Sequence, residues 1–503
     1  QTLALMPWHS DAFVRFSFVP YLAMTGLASY ALGMRLGAPR PTALAWAAAT
    51  LSMPACMLSA VEDTKPDTFM LACFLAGLVF LVRHRRTRAT TDLVLAGLGL
   101  GLAFGSRWYG VTAVAAVVAI WLAARAVAHT AWRSLVADAA RMIGLIAAAG
   151  GFWLLRNLIV VGNPVYPVKV GLLGNIVFDA PPDVIRERGG FAILHYATDT
   201  HVWRTFLWPA VRDGFALPGI VALAACVVAI VAAFGGRRRP RTVLVAVTGL
   251  AGLVLLAVYA ATPYSAQGPD GLPVQALVNT RYGLPAVATG AAVAAALGAR
   301  GRRWALASTT LALIATVDAL ARIDNVAPIV AHAVRPVRVA EALVLLALVA
   351  GAVFAVRLTP RSLRFVPLAF AALVLVAGGY FHQRYYSDHR YIGRDPAIDA
   401  ALQLPGRHTI AITGPTPQGI LPPNLPLNGP RLDNRVRVLG RPDRHLLLPL
   451  RTRADLAAAL HGEPYDLLYV LKYRGRSSPA AGWALALGWH QVAAGETSVL
   501  FQR

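Results

Sequence analysis

The feature that most restricts this chain is an alternation of apolar runs of membrane-crossing length with short loops that are by turns rich and poor in arginine. About 20 consecutive apolar residues, wound as a helix, cross the hydrocarbon core of a bilayer. Such runs lie near 13–35, 42–61, 68–83, 92–106, 110–125, 141–161, 216–234, 242–261, 282–298, 304–320, 341–357 and 365–381. The stretch 92–125 is too long for one crossing, and Ser-Arg-Trp-Tyr-Gly at 106–110 divides it into two short helices. With 57% hydrophobic and 14% charged residues, a water-soluble core could not hide this surface. The expected fold class is therefore an all-α polytopic membrane protein with about twelve transmembrane helices.

The loops give the orientation. Six of them carry Arg35/Arg40, RHRRTR at 83–88, Arg125/Arg133/Arg141, RRRPR at 237–241, RGRR at 300–303 and Arg357/Arg361/Arg364. They hold nineteen of the 47 Lys+Arg and a single acid, Asp138. An excess of basic residues in short loops marks the cytoplasmic side. Segments 62–67, 106–110, 162–215, 262–281 and 321–340 then face outward, with residues 1–12 and everything after 382. The net charge of +23 is thus mostly a record of topology, and no nucleic-acid partner is expected. Cys56, Cys73 and Cys226 all sit in apolar runs, which indicates neither a disulfide framework nor a metal cluster. The chain opens at Gln1 without an initiator Met or a signal-peptide pattern, so the true N-terminus is expected upstream.

After residue 381 the apolar runs shrink and proline rises. RHTIAITG (407–414), NRVRVLG (434–440), YDLLYVLKY (465–473) and TSVLFQR (497–503) read as strands. RADLAAALHG (453–462) and AAGWALALGWH (480–490) read as helices. The expected domains are a transmembrane domain, 1–381, and a small extracytoplasmic α/β domain, 382–503. The tail's Thr-Gly-Pro-Thr-Pro-Gln-Gly is no phosphate loop, because no Gly-Lys-Ser/Thr follows.

Polar residues gather at the outer face. VEDTKPDTF (61–69) places Glu62, Asp63, Lys65 and Asp67 between two spans, as a helix-capping turn or as carboxylates in a wet cavity. GLGLGLAFGSRWYG (97–110) combines small residues, which allow close helix packing, with Arg107 at the apex of a hairpin. A guanidinium fork there suits a phosphate, although snorkelling to lipid headgroups would also explain it. Arg156-Asn157 ends one span and Arg281-Tyr282 begins another. Three arginines at one depth could converge on an anion or anchor three helices separately. GNPVYP (162–167) then turns the chain into a long outer loop. That loop interleaves His195, Tyr196, His201, Trp203 and Trp208 with apolar residues, as in an interfacial amphipathic segment, and the two histidines are weak metal candidates.

Taken in order, these pieces resemble the bacterial C-type glycosyltransferases, polytopic enzymes related to protein mannosyltransferases and aminoarabinose transferases. WLLRNLIVVGNPVYP (153–167) is similar to their Trp-x-x-Arg-Asn…Gly-Asn-Pro-x-Tyr-Pro segment. VEDTKPDTFMLACFLAGLVF resembles their second outer loop, GLGLGLAFGSRWYG their Gly-x-Ala-x-x-x-Lys/Arg segment, and NTRYGLPA (279–286) their Arg-Tyr-x-x-Pro segment. The resemblance covers most of 10–380. It implies a bacterial inner-membrane enzyme that transfers a sugar from a polyprenyl-phosphate donor to an extracytoplasmic acceptor, with inversion. By this match Asp67 and then Asp63 are the catalytic carboxylates, and Arg107, Arg281 and Arg156 bind the donor phosphate. Asn157, Tyr282 and Lys65 shape the site. No resident metal is assigned, and a divalent cation is left open as cofactor.

One departure stands beside the match. The family's principal Asp follows its first span, and QTLALMPWHSDAFVRF looks like the end of that first outer loop. The expected full chain then has about thirteen spans, with that Asp upstream of Gln1; Asp11 sits too close to the next span to replace it. Two other functions compete: a transporter of a lipid or polysaccharide intermediate, and a non-catalytic membrane scaffold of the cell envelope.

Overall fold

The computed structural model describes residues 19–61, 66–128, 131–172, 174–181, 184–235, 240–326, 395–414, 424–429, 433–443, 446–472 and 478–503, with isolated positions between 360 and 373. The chain divides into two compact units, Phe18–Arg335 and Gln1–Ser17 with Pro336–Arg503. Each is described by itself.

In the first unit ten of the expected spans fall on helices, and those near 341–357 and 365–381 lie outside the described residues apart from isolated positions. The helices are α1 (Val19–Leu36), α2 (Arg40–Ser52), α3 (Pro54–Val61), α4 (Asp67–Thr87), α5 (Thr90–Ser106) and α6 (Trp108–Val127). They continue with α7 (Trp132–Gly150), α8 (Phe152–Val161), α9 (Val184–Gly189), α10 (Trp208–Phe234), α11 (Pro240–Ala261), α12 (Leu284–Leu297) and α13 (Arg302–Val326). Among the described residues six helices are long and apolar enough to cross a membrane, or seven if the pair α7–α8 is one span. That count is of the described residues alone, and the expected spans near 341–357 and 365–381 fall outside it.

Two expectations about single spans change. The run 141–161 is not one straight helix: α7 and α8 meet at 67°. Gly151 sits between them, and Gly150 is packed hard against α5, where a side chain would strike the Gly101 carbonyl. The run 216–234 begins earlier, since helical structure extends from Thr200 to Phe234 and takes in the aromatic part of the loop expected over 162–215. It contains a π-helical turn, Trp203–Leu207, and a break at Ala216 (φ 53°, ψ −164°) just before Pro218. The break frees the amide of Leu217, which donates to Asp318 Oδ2 of α13 at 2.8 Å. Arg322 holds Asp318 and also reaches Asp213, at 3.0 Å each.

The centre of this unit is α12. Every residue from Leu284 to Ala296 is buried, because Ala, Gly and Val side chains let α10, α11, α1 and α2 close on all its faces. Helices α5 and α7 come together through small residues: a Cβ on Gly105 would lie 2.6 Å from the Gly150 carbonyl oxygen. The small-residue run in 97–105 therefore serves close packing, as expected.

The second unit is a five-stranded sheet in the order β4-β3-β7-β9-β8, with β3 (Thr409–Thr413), β4 (Arg435–Val438), β7 (Leu467–Leu471), β8 (His490–Ala494) and β9 (Ser498–Gln502). Strands β3–β4 and β3–β7 are parallel; β7–β9 and β8–β9 are antiparallel. All four expected strands form. Strand β7 is buried on both faces: Leu467, Tyr469 and Leu471 pack with Pro396–Gln403 (α14), while Leu468 and Val470 pack with Arg453–His461 (α15) and Pro479–Ala486 (α16). The helix expected over 480–490 stops at Ala486, because Gly488 (φ 84°) turns the chain left-handed and His490 starts β8. Two small hairpins, β1–β2 (Val170–Leu172, Asn175–Phe178) and β5–β6 (Arg441–Asp443, Leu446–Leu448), were not legible in the sequence.

Candidate functional site

Three separate chain segments meet at Asp67. The residue opens α4, immediately after Pro66, and is fully buried. It is the first helical residue rather than the cap, and no side-chain capping bond is made there. Its carboxylate looks instead toward the α5–α6 break. There Arg107 is extended (φ −153°, ψ 146°), so α5 ends and α6 starts in a new direction. The Gly105–Gly150 contact sets the position of that break. Arg107 Nη2 donates to Asp67 Oδ2 at 2.8 Å. One residue into α6, the Tyr109 hydroxyl donates to Asp67 Oδ1 at 2.5 Å.

The third segment is the turn Thr280–Gly283, which enters α12. Arg281 is 8% exposed, and its Nε lies 3.8 Å from Asp67 Oδ1. Its Nη1 donates to the Val278 carbonyl at 3.3 Å, and its guanidinium lies over the Tyr282 ring, 5.1 Å from the centroid. The rings of Tyr282 and Tyr109 pack with centroids 4.8 Å apart. Small residues hold this turn in place: Gly214 of α10 abuts Thr280, and Gly283 abuts Phe215 and Tyr259. Asn279 donates to the Tyr264 carbonyl at 2.7 Å, which ties the turn to the preceding loop.

The sum of charges matters here. Among the described residues one carboxylate faces two guanidiniums, which leaves a unit of positive charge over. Arg281 is deep, whereas the Arg107 side chain is 29% exposed and its Nε is buried without a hydrogen-bond partner among the described residues. Arg107 also lines an open cleft of about 330 Å³, with Ser106, Trp108, Trp153, Asn157 and Tyr166 among its other walls. A guanidinium fixed on one side by a carboxylate and open on the other to an aromatic-walled cleft is suited to an oxyanion.

The corner GNPVYP is explained by the same cleft. Gly162 ends α8 in the left-handed conformation (φ 70°). The buried Asn163 side chain donates to the carbonyls of Val168 and Asp179 and accepts from the Val165 amide. That network folds the loop back so that Tyr166 reaches the cleft, where Asn157 Nδ2 approaches the Tyr166 carbonyl at 3.5 Å.

The structure thus brings Asp67, Arg107, Arg281 and Tyr282 together, and places Asn157 on the cleft beside Arg107. Arg156 is exposed, stacks over Trp153 at 5.6 Å and does not line the cleft, so two of the three expected arginines converge. Asp63 and Lys65, with Glu62, lie outside the described residues, as does Asp11. Tyr109 was missed by the sequence reading; its signal was the position just inside a helix that starts at an arginine break. His195 meets Asp270 at 3.2 Å and stacks on Phe191, while His201 is exposed and far from being a cluster. Among the described residues no three metal-ligating side chains gather.

Comparison with known proteins agrees at the level of fold. No family model matches the chain, and no curated protein matches it. Among solved structures, the crystal structure of ArnT from Cupriavidus metallidurans bound to undecaprenyl phosphate superposes with a TM-score of 0.52 over 97% of this chain and 83% of that one, at 16% identity. The chain has the fold of that membrane protein.

Proposed function

We propose that this chain is an integral membrane glycosyltransferase that takes a sugar from a polyprenyl-phosphate donor and passes it, with inversion, to an acceptor on the extracytoplasmic side. The observation that carries this reading is the buried Asp67 ion-pairing Arg107 at 2.8 Å and lying 3.8 Å from Arg281, beside a cleft into which Arg107 opens. The structural neighbour holds undecaprenyl phosphate, a ligand of the chemistry that such a cationic cleft would take.

In this reading Arg107 and Arg281 bind the donor phosphate. As the bond from the anomeric carbon to the phosphate oxygen breaks, negative charge grows on the polyprenyl phosphate, and guanidiniums fixed in advance stabilise it. The acceptor hydroxyl attacks the opposite face and gives its proton to a carboxylate. Asp67 has a different part. Both its oxygens are engaged and the residue is wholly buried, so it acts by holding the two arginines. Asp63, four positions earlier, is the proposed proton acceptor. Asn157 shapes the cleft wall, Tyr282 supports Arg281, and Arg156, over Trp153 and outside the cleft lining, is proposed to meet the donor phosphate from there.

The test is sugar transfer by the protein in liposomes, with a panel of radiolabelled polyprenyl-phosphate sugars. Turnover with one donor, lowered at least tenfold by Arg107→Ala and by Arg281→Ala, is the expected result. Binding of the lipid without release of sugar from any donor would overturn the reading.

A further inference from the structure

At the end of the helices opposite the Asp67 cluster, a second cavity of about 490 Å³ is lined by Tyr30, Ala31, Met34, Arg35, Arg40 and Arg86. Three chain segments contribute a guanidinium each: the end of α1, the start of α2 and the last turn of α4. Arg86 Nη2 donates to the Arg35 carbonyl at 3.0 Å, which fixes α4 against the α1–α2 turn and holds like charges together. Three other arginines at this end are matched to acids: Arg83 lies 3.2 Å from Asp92, and Arg125 and Arg141 pair with Asp138. Arg35, Arg40 and Arg86 have no carboxylate partner among the described residues, and no acid lines their cavity.

The flank of this cavity is apolar. Met24 and Leu27 of α1 are 41% and 68% exposed, and Leu44 of α2 is 64% exposed. Met24, Leu27, Ala31 and Met34 follow helical spacing and lead along α1 to Arg35. Cationic head space therefore adjoins an apolar strip that runs away from it along α1. A free inorganic anion would use the first and not the second.

We propose that this cavity is a binding site for an anionic phospholipid of the cytoplasmic leaflet, one whose headgroup carries more than one phosphate. The three guanidiniums take the phosphates, and the acyl chains lie along α1 and α2. Arg85 in the last turn of α4 and Arg88 at its C-terminal cap extend the positive field that draws such a lipid. The site stands independently of the transfer reaction, and it couples α1, α2 and α4, whose other end carries Asp67.

The experiment measures lipid retention by native mass spectrometry of the full protein, using cardiolipin against phosphatidylethanolamine, with inorganic pyrophosphate as a lipid-free arm. Wild type is expected to hold cardiolipin at least tenfold more tightly than phosphatidylethanolamine. The triple variant R35Q/R40Q/R86Q loses that preference, and R133Q/R302Q/R303Q, with equal loss of charge on the same face, keeps it within twofold. Should the first triple variant not fold, the single Arg40→Gln, which breaks no hydrogen bond to the backbone, is expected to weaken cardiolipin several-fold. Equal loss in both triple variants would show a diffuse charge effect and overturn the site. Pyrophosphate bound as tightly as cardiolipin would make the ligand a soluble anion and overturn the lipid assignment.

Discussion

Arg107 Nη2 and Asp67 Oδ2 lie 2.8 Å apart although the residues are 40 positions apart, one at a break between two helices and the other at the start of a third. The pair is buried on the Asp67 side and open on the Arg107 side. This asymmetry separates two roles for the carboxylate. If Asp67 positions the arginines, Asp67→Asn keeps the shape, frees both guanidiniums and raises the donor KM at least tenfold, with a smaller fall in kcat. If Asp67 takes the proton, kcat falls by roughly 10²–10⁴ and KM stays put. We expect the first pattern in steady-state kinetics with the purified protein. Asp67→Ala, which strands buried charge, is expected to cost about 3–5 kcal/mol in stability.

Tyr109 gives a milder test of the same cluster. Its hydroxyl is the second donor to Asp67, and its ring packs on Tyr282. Tyr109→Phe keeps the ring contact and removes one hydrogen bond to a buried carboxylate. The expected loss is about 1–3 kcal/mol. It would be read as a lower unfolding midpoint in detergent, together with a rise in donor KM as Asp67 loosens its hold on Arg281. An unchanged midpoint and unchanged KM would show that the hydroxyl is dispensable.

The loops on either side of α10 and α11 carry a pH-sensitive tie between residues 189–196 and 264–271. Asp270 accepts from His195 at 3.2 Å and from the Tyr196 hydroxyl at 3.1 Å, while the backbone of 189–191 pairs with that of 264–268. The hydrogen bond from His195, followed by that from Tyr196, holds the Asp270 carboxyl below its ordinary value, and burial pushes the Tyr196 phenol up. The sign follows from the depressed carboxyl. Its stabilising contribution is complete above the unfolded carboxylate pKa of about 3.9 and is lost as pH falls through the lower folded value. Amide exchange at Gly268 and Gly271 should therefore stay slow down to about pH 4 and rise below it. Asp270→Asn should abolish that acid step; a step that persists in the variant would place its origin elsewhere.

How much of this could be read beforehand depends on what each feature needs. Spans and strands follow from local pattern, so ten helical runs and four strands were legible in single stretches of sequence. The small-residue run 97–105 announced close packing but not its partner; that partner is Gly150, whose contact also explains why the α7–α8 run is bent. The convergence of Arg107 and Arg281 on Asp67 is a tertiary fact, set by which helices neighbour one another, and no spacing along the chain encodes it. Arg156 carried the same sequence signal as the other two and ended exposed on Trp153, which shows how little an arginine at the right depth fixes by itself. Tyr109 was hidden for the same reason, since its role exists only once Asp67 is beside it.

The broken helix α10 supplies the last test. Its kink leaves the Leu217 amide without a helical acceptor, and Asp318 from α13 supplies one at 2.8 Å while Arg322 bridges Asp318 and Asp213. The kink lies beside the turn that carries Arg281, because Gly214 abuts Thr280 and Phe215 abuts Gly283. Two substitutions separate the hydrogen bond from the charge. Asp318→Asn keeps a carbonyl oxygen for the Leu217 amide and loses the ion pair, and should cost under about 1 kcal/mol, as exposed or half-exposed pairs do. Asp318→Ala loses both, and the stranded amide should raise the cost to roughly 1–3 kcal/mol. Because the turn moves with the kink, the alanine variant should also raise the donor KM, whereas the asparagine variant should not. Unfolding midpoints and donor KM measured on both variants decide it: equal effects in the two would mean that the charge, and not the capped amide, holds the bend.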